Sequence, residues 1–273
     1  MKRRVLPGLP FTLGITLVYV AIIVVLPLAA LIFKAASLGP EDYWRIISSE
    51  RAIASYRVTV LSALAATVFN LVFGLALAWI LVRYRFPGRR LVDALVDLPF
   101  ALPTAVAGIS LTTLFATNGW FGAPLDAIGI KVAYTPLGIM IAMAFTSLPF
   151  IVRTVQPVLE ELDPALEEAG QTLGATDWSI FLRVILPLLA PALLAGVSLA
   201  FARSLGEFGA IIFIAGNQPF ETEITALLAF IRLEEYDYPA SAAIASVMLL
   251  AAFTMLAVTN LLQARALRYT VKG

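Results

Sequence analysis

RTVQPVLEELDPALEEAGQTLGATDWSIFLRVILP (residues 153–187) is a polar island between two apolar stretches. The residues on either side read as lipid-spanning helix. The island reads as a short helix, a glycine turn and a second short helix. A membrane chain that only conducts or anchors needs no structured motif there. One worked by a soluble partner does, so this segment is where the chain is expected to be driven.

Its local signals are specific. Asp163 followed by Pro164 is a helix start, because Asp caps free N–H groups and Pro suits the first turn. Leu166, Ala169, Gly170 and Leu173 follow at helical spacing on one face, with Glu167, Glu168 and Gln171 on the other. Gly174 predicts a left-handed stop. Thr176 is placed to cap a second short helix carrying Trp178, Phe181, Leu182 and Ile185, and Pro187 begins the next span. On pattern alone, a hairpin lying on the membrane surface stands beside a docking element as a reading.

Around the island the chain is apolar. Of 273 residues, 60% are hydrophobic and 14% are charged, with a mean hydropathy of +0.92. An ordinary soluble protein is about a quarter charged, so this is an integral membrane protein. Six apolar segments, about 11–34, 58–82, 96–116, 134–152, 188–214 and 240–263, approach the roughly 20 residues a helix needs to cross a bilayer. Strand-like alternation is absent, which disfavours a β-barrel. The expected fold is an all-α membrane protein. It forms one six-helix domain over residues 1–273, with a hairpin at about 160–187. Pro99 and Pro103 in the third segment predict a simple kink. The first segment follows Lys2, Arg3 and Arg4, contains Pro27, shows no small-residue cleavage site and reads as retained.

The chain has no Cys and no His. That excludes disulfides, thiol nucleophiles and most zinc chemistry, and removes the commonest acid/base group at neutral pH. No catalytic or metal-ligating set is expected. Orientation follows from the Lys/Arg bias of the loops. With both termini inside, Lys2, Arg3, Arg4, Arg83, Arg85, Arg89, Arg90, Arg153, Arg183, Arg265, Arg268 and Lys272 are cytoplasmic. Half as many, Lys34, Arg45, Arg51, Arg57, Lys131 and Arg232, are external. The polar island is then cytoplasmic. Outside, residues 35–57 predict an interfacial helix, and TALLAFI (225–231) predicts an apolar patch packed on the outer face of the bundle or touching an external partner.

Arg203 and Glu207 lie four apart in FARSLGEFGA and are expected to share a helix face in the fifth span. Charge inside a membrane is expensive, about 2.5–3.5 kcal/mol for Arg on insertion scales. Two readings stand. Arg203 draws an anion through a pore with Glu207 holding its side chain, or the two form a structural salt bridge. Gly206 and Gly209, with Ser204, predict close helix packing. Ser110, Thr112, Thr113, Thr117 and Asn118 make the outer half of the third span mildly polar, and Ser and Thr in spans usually bond their own helix carbonyls.

Glu168-Ala169-Gly170, then Gly174, then Val184-x-Leu186-Pro187 resembles the EAA motif of ABC-importer permeases. The chain departs from that pattern at Gly170, where a second Ala is expected, and at Val184, where Ile is usual. The resemblance extends through RYRFPGRRLVDALVDLPFALPTAVAG (83–108), AMAFTSLPFIVRTVQPVLEELDP (142–164) and FARSLGEFGAIIFIAGN (201–217), which look like the sulfate/thiosulfate group of these permeases. With RRVLPG (3–8), the whole chain is most similar to its T-type subunit.

The resemblance implies a heterodimer with a W-type permease in a bacterial inner membrane. Two copies of a cytoplasmic ABC ATPase would bind ATP and Mg, and a periplasmic sulfate/thiosulfate-binding protein would deliver substrate. It implies no cofactor on this chain, no ATPase site of its own and no nucleic acid. Consistently, a phosphate-binding Gly-x-x-x-x-Gly-Lys-Ser/Thr loop is absent from the sequence. The implied ATPase-coupling residues are Leu166, Glu168, Ala169, Gly170, Leu173, Gly174, Leu186 and Pro187. Arg203, Gly206, Glu207 and Gly209 would line the translocation pathway or gate. A molybdate or tungstate importer permease is the rival within the class. An ion-coupled secondary anion transporter and a membrane enzyme are rivals outside it. The first would need more spans or an inverted repeat, and the second a catalytic cluster.

Overall fold

A computed structural model of the chain describes residues 9–270. Lys2, Arg3, Arg4, Lys272 and the start RRVLPG lie outside those residues, and the side chains of Arg265 and Arg268 lie outside the described ones. The elements, in chain order, are α1 (Phe11–Ala36), α2 (Pro40–Ile47), α3 (Glu50–Arg83), α4 (Arg89–Val96), α5 (Leu98–Ala101), α6 (Thr104–Phe115) and α7 (Gly122–Ala127). They continue with α8 (Pro136–Glu161), α9 (Ala165–Thr172), α10 (Asp177–Leu205), α11 (Ile211–Ile214), α12 (Thr225–Glu234) and α13 (Tyr238–Thr270). Among the described residues, α1, α3, α8, α10 and α13 are long and apolar enough to cross a membrane.

Helix α8 is the hub, flanked by α3 and α10. Lipid offers no hydrophobic drive for helices to associate, so small residues and polar links must join them. Asn70 of α3, buried, donates from Nδ2 to the carbonyl of Ala144 and to Ser147 Oγ, both at 2.9 Å. A Cβ on Gly74 would sit 3.0 Å from Ile151 Cγ2, and one on Gly196 would sit 3.0 Å from Ile151 Cα. Both glycines therefore bring their helices against the same turn of α8. Around these contacts the apolar core divides in two. One part gathers Ile139, Met143, Ile211 and Ile214. The other gathers Leu81, Val152, Leu159, Ile180 and Leu189 at the hairpin end.

Two expected spans do not run unbroken through their apolar segments. The third, expected over 96–116, is broken rather than kinked. Helix stops at Ala101, Leu102 is extended (φ −86°, ψ 135°), and α6 starts at Thr104 with only 12 residues. Pro103 pushes the residue before it out of the helical region. The fifth, expected over 188–214, ends at Leu205. Gly206 caps it, and the separate α11 follows.

At the end away from the hairpin, α2 is the expected short helix within 35–57. TALLAFI forms most of α12, and its Leu227 and Leu228 are buried against the bundle. Thr59 and Thr225 hydroxyls meet at 3.0 Å. Arg51 of α3 holds the buried Glu223 through two bonds, Nε to Oε2 at 2.8 Å and Nη2 to Oε1 at 2.6 Å. Thr112 and Thr113 bond the carbonyls of Gly108 and Ile109 on their own helix, which is the conservative expectation for these hydroxyls.

Candidate functional site

The polar island forms the hairpin its sequence predicts. Asp163 Oδ1 accepts the N–H of Ala165 at 2.9 Å and starts α9. Gly174 stands at φ +77°. Its N–H reaches the carbonyl of Gln171, and the N–H of Ala175 reaches that of Gly170. These paired bonds are the Schellman closure of a helix end, which requires the left-handed residue that glycine supplies most cheaply. Thr176 Oγ1 accepts the N–H of Ser179 and starts α10.

The two arms meet at Gly170. A Cβ there would lie 2.9 Å from Ile180 Cγ1. Gly170 therefore faces the second arm, a correction to the expected outward set. The departure from alanine at this position has a physical cause, since Ile180 fills the space a methyl would need. Leu166, Ala169, Leu173 and Glu168 remain exposed on the outer side, Leu173 at 87%. Trp178, also exposed, stacks on Phe181, and Phe181 meets Trp79 of α3 edge-on. Leu186 is half-buried and Pro187 exposed. They follow one π-helical turn, Phe181–Ile185. Pro187 has no N–H for an α-helical bond, and the widened turn directly precedes it.

Glu167 lies on the face opposite Leu166 and Leu173, as its spacing predicts. There it pairs with Arg83, the last residue of α3. The guanidinium also lies over the Trp79 ring, 5.3 Å from its centroid. Nothing local in the sequence signals this pair, whose members are 84 positions apart. A second link goes unannounced. Arg153 of α8 donates from Nε and Nη2 to Asp97 and from Nη1 to Asp93, at 2.7 to 2.8 Å. It thereby ties α4 and the residue after it to the hub helix.

The charged pair lies at the break after α10. Arg203 occupies the last turn of the helix, and its Nη1 is 2.6 Å from Glu207 Oε2. Glu207 is 1% exposed and stands beyond the helix rather than on its face, which corrects the expected geometry. Its Oε1 also accepts the N–H of Ala210 at 3.0 Å. Of the two glycines expected to permit close packing, only Gly209 does so. A Cβ there would collide with Thr104 at the start of α6, while one on Gly206 would meet nothing nearer than 3.9 Å. Gly108 of α6 lies in turn against the backbone of Ala210. The start of one short helix and the break in another thus lock together beside Arg203 and Glu207.

Apolar helices of membrane length, a polar hairpin held at one end and an interrupted helix pair carrying a buried carboxylate are the marks of this membrane fold. Solved structures share that fold. One is a chain of a bacterial ABC transporter involved in the import of the acidic polysaccharide alginate, with TM-score 0.78, 18% identity and coverage of 94% of this chain and 95% of that one. Another is a chain of the MetNI methionine ABC transporter, with TM-score 0.58, 16% identity and coverage of 80% and 97%.

The chain belongs to the family described as binding-protein-dependent transport system inner membrane component, which matches residues 70–268. Its relatives include a sulfate transport system permease protein CysT of Escherichia coli (strain K12), 59% identical over 97% of this chain and 95% of that protein. The protein of the same name from Synechocystis sp. is 50% identical over 93% and 89%.

Proposed function

We propose that this chain is the T-type permease subunit of an ATP-driven importer of sulfate and thiosulfate. The observation that carries the reading is the 59% identity, over nearly the whole length of both chains, to a protein named for sulfate transport. The chain would sit in a bacterial inner membrane beside a homologous W-type permease, with both termini and the hairpin cytoplasmic. Two ATPase subunits would bind ATP and Mg, and a periplasmic binding protein would deliver the anion. The exposed Leu166, Glu168, Ala169 and Leu173 would make the ATPase contact. Gly170 and Gly174 would give the hairpin its shape, and Leu186 and Pro187 would join it to α10. Closure of the ATPase pair would draw the hairpins of both permeases together and rock the bundle to face outward.

Arg203 and Glu207 serve this reading as a pathway element. Sulfate is a dianion, and an unopposed guanidinium would hold it. A guanidinium already bound to Glu207 keeps donors for an oxyanion without a net charge to trap it. Gly206 and Gly209 would let the break between α10 and α11 adjust as the anion passes.

The test is uptake of radiolabelled sulfate into proteoliposomes holding the two permeases and the ATPase, with binding protein outside. The reading expects uptake that requires ATP and is competed by thiosulfate. Uptake of molybdate in preference to sulfate, or uptake without the ATPase, would refute it.

A further inference from the structure

A groove of about 1070 Å³ lies beneath the hairpin, between α3 and α10. Leu71, Leu75, Trp79, Leu193 and Leu194 line it, and Glu167 stands at its mouth. Because of this opening, α9 does not pack on α3; its main neighbour is the start of α10. The Arg83–Glu167 pair crosses the gap. Its side chains are 22% and 28% exposed. Among the described residues it is the only side-chain hydrogen bond or ion pair joining residues 163–174 to a membrane-length helix.

Helix α3 is 34 residues long, or about 51 Å at 1.5 Å per residue. At its other end Arg51 grips the buried Glu223, which lies on the segment between α11 and α12. One rigid helix is therefore tied by an arginine–glutamate pair at each end, to the hairpin and to the far-end loop. Coupling between distant sites travels through rigid elements and hydrogen-bonded links of this kind.

We infer that the Arg83–Glu167 pair transmits movement of the hairpin to α3, and through Arg51–Glu223 to the far-end loop. Glu167 is thus a positioning residue for coupling, distinct from the outward face that meets the ATPase. The inference rests on the reading that this outward face docks the ATPase. The second arm is packed on α3 through Phe181 and Trp79, but α9 has a groove and one charged tie beside it, which suit a moving part better than a packed interface would. Packing would fix α9 to α3, whereas the tie joins them at one point and lets α9 move with the start of α10, on which it rests.

The test uses the complete reconstituted complex. Glu167→Gln and Arg83→Gln should each retain ATPase copurification. Stimulation of ATP hydrolysis by sulfate-loaded binding protein should fall roughly five- to tenfold, the low end of ordinary coupling between sites. The exchange Arg83→Glu with Glu167→Arg should recover at least half of the lost stimulation, which assigns the loss to the pair itself; a merely anchoring role would instead lower stimulation only as far as bound ATPase falls. Full stimulation in both single variants would overturn the inference. So would an exchange no better than the single changes, or loss of stimulation in proportion to loss of bound ATPase. Leu173→Asp, on the outward face, separates the two readings. It should abolish ATPase copurification, and if it does not, the docking reading itself fails.

Discussion

Arg203 and Glu207 form an unequal pair, and the inequality predicts an order of damage. Glu207 is sealed at 1% exposure, while the arginine side chain is 32% exposed. Arg203→Gln would leave a closed-off carboxylate without its counter-ion. Breaking a buried pair this way costs about 3–5 kcal/mol, and the partly open arginine end argues for about 3 kcal/mol. Glu207→Gln leaves the less enclosed member of the pair without its counter-ion and keeps an amide oxygen for the N–H of Ala210, so its cost is about 1 kcal/mol.

The exchange Arg203→Glu with Glu207→Arg should be the worst of the three. It forces a guanidinium into the closed slot and strips the buried N–H of Ala210 of its acceptor, which adds about 1–3 kcal/mol. At 1.36 kcal/mol per factor of ten, a 3 kcal/mol loss lowers the assembled fraction of a marginal complex roughly a hundredfold. The assay is the thermal midpoint and copurification yield of the detergent-extracted complex by size exclusion, beside sulfate uptake. An exchanged variant that assembles and transports like the wild type would refute the reasoning, since it would make the two positions equivalent and the Ala210 contact idle.

Two further outcomes are expected. Single cysteines at Gly88 and Asn118, in a chain without native Cys, should react with a membrane-impermeant maleimide in intact spheroplasts at 118 and not at 88; the reverse would invert the orientation. Gly174→Val forces a β-branched residue into φ +77°, where left-handed backbone costs about 1–2 kcal/mol; insertion should survive and binding-protein stimulation of ATPase activity should disappear, and unchanged stimulation would show that the turn is not needed for coupling.

The hairpin was legible because each of its signals acts locally. Asp163, Gly174 and Thr176 determine backbone bonds within a few residues of themselves, so their spacing reports the structure directly. The breaks were less legible. Pro99 and Pro103 are compatible with a kinked helix, and the extended backbone at Leu102 shows where the helix actually stops, with Gly209 packed on Thr104 and Gly108 on Ala210 just beyond it. The spacing of Arg203 and Glu207 suggested a shared helix face, but Gly206 ends the helix between them. Hydropathy gave no warning, because residues on both sides of the break are equally apolar. The orientation of Gly170 depended on Ile180, ten positions away and on the other arm. The Arg83–Glu167 and Arg153–Asp93 links join distant segments, and a single sequence carries no trace of such pairings.

The interrupted third segment has an electrical consequence. Helix α6 has 12 residues, which span about 18 Å, against about 30 Å of hydrocarbon in an ordinary bilayer. The extended backbone at Leu102 requires protein or water beside it rather than lipid. Solvent that reaches it from the hairpin end leaves only the thickness of α6 as insulation. The membrane voltage would then fall across little more than half its usual distance, and the field along that stretch would be correspondingly steeper. An inside-negative potential opposes an entering dianion by about 4.6 kcal/mol per 100 mV. That opposition would be met in one short step beside Arg203, whose charge Glu207 already balances, so the pair offers the anion donors there but no net field to offset the potential.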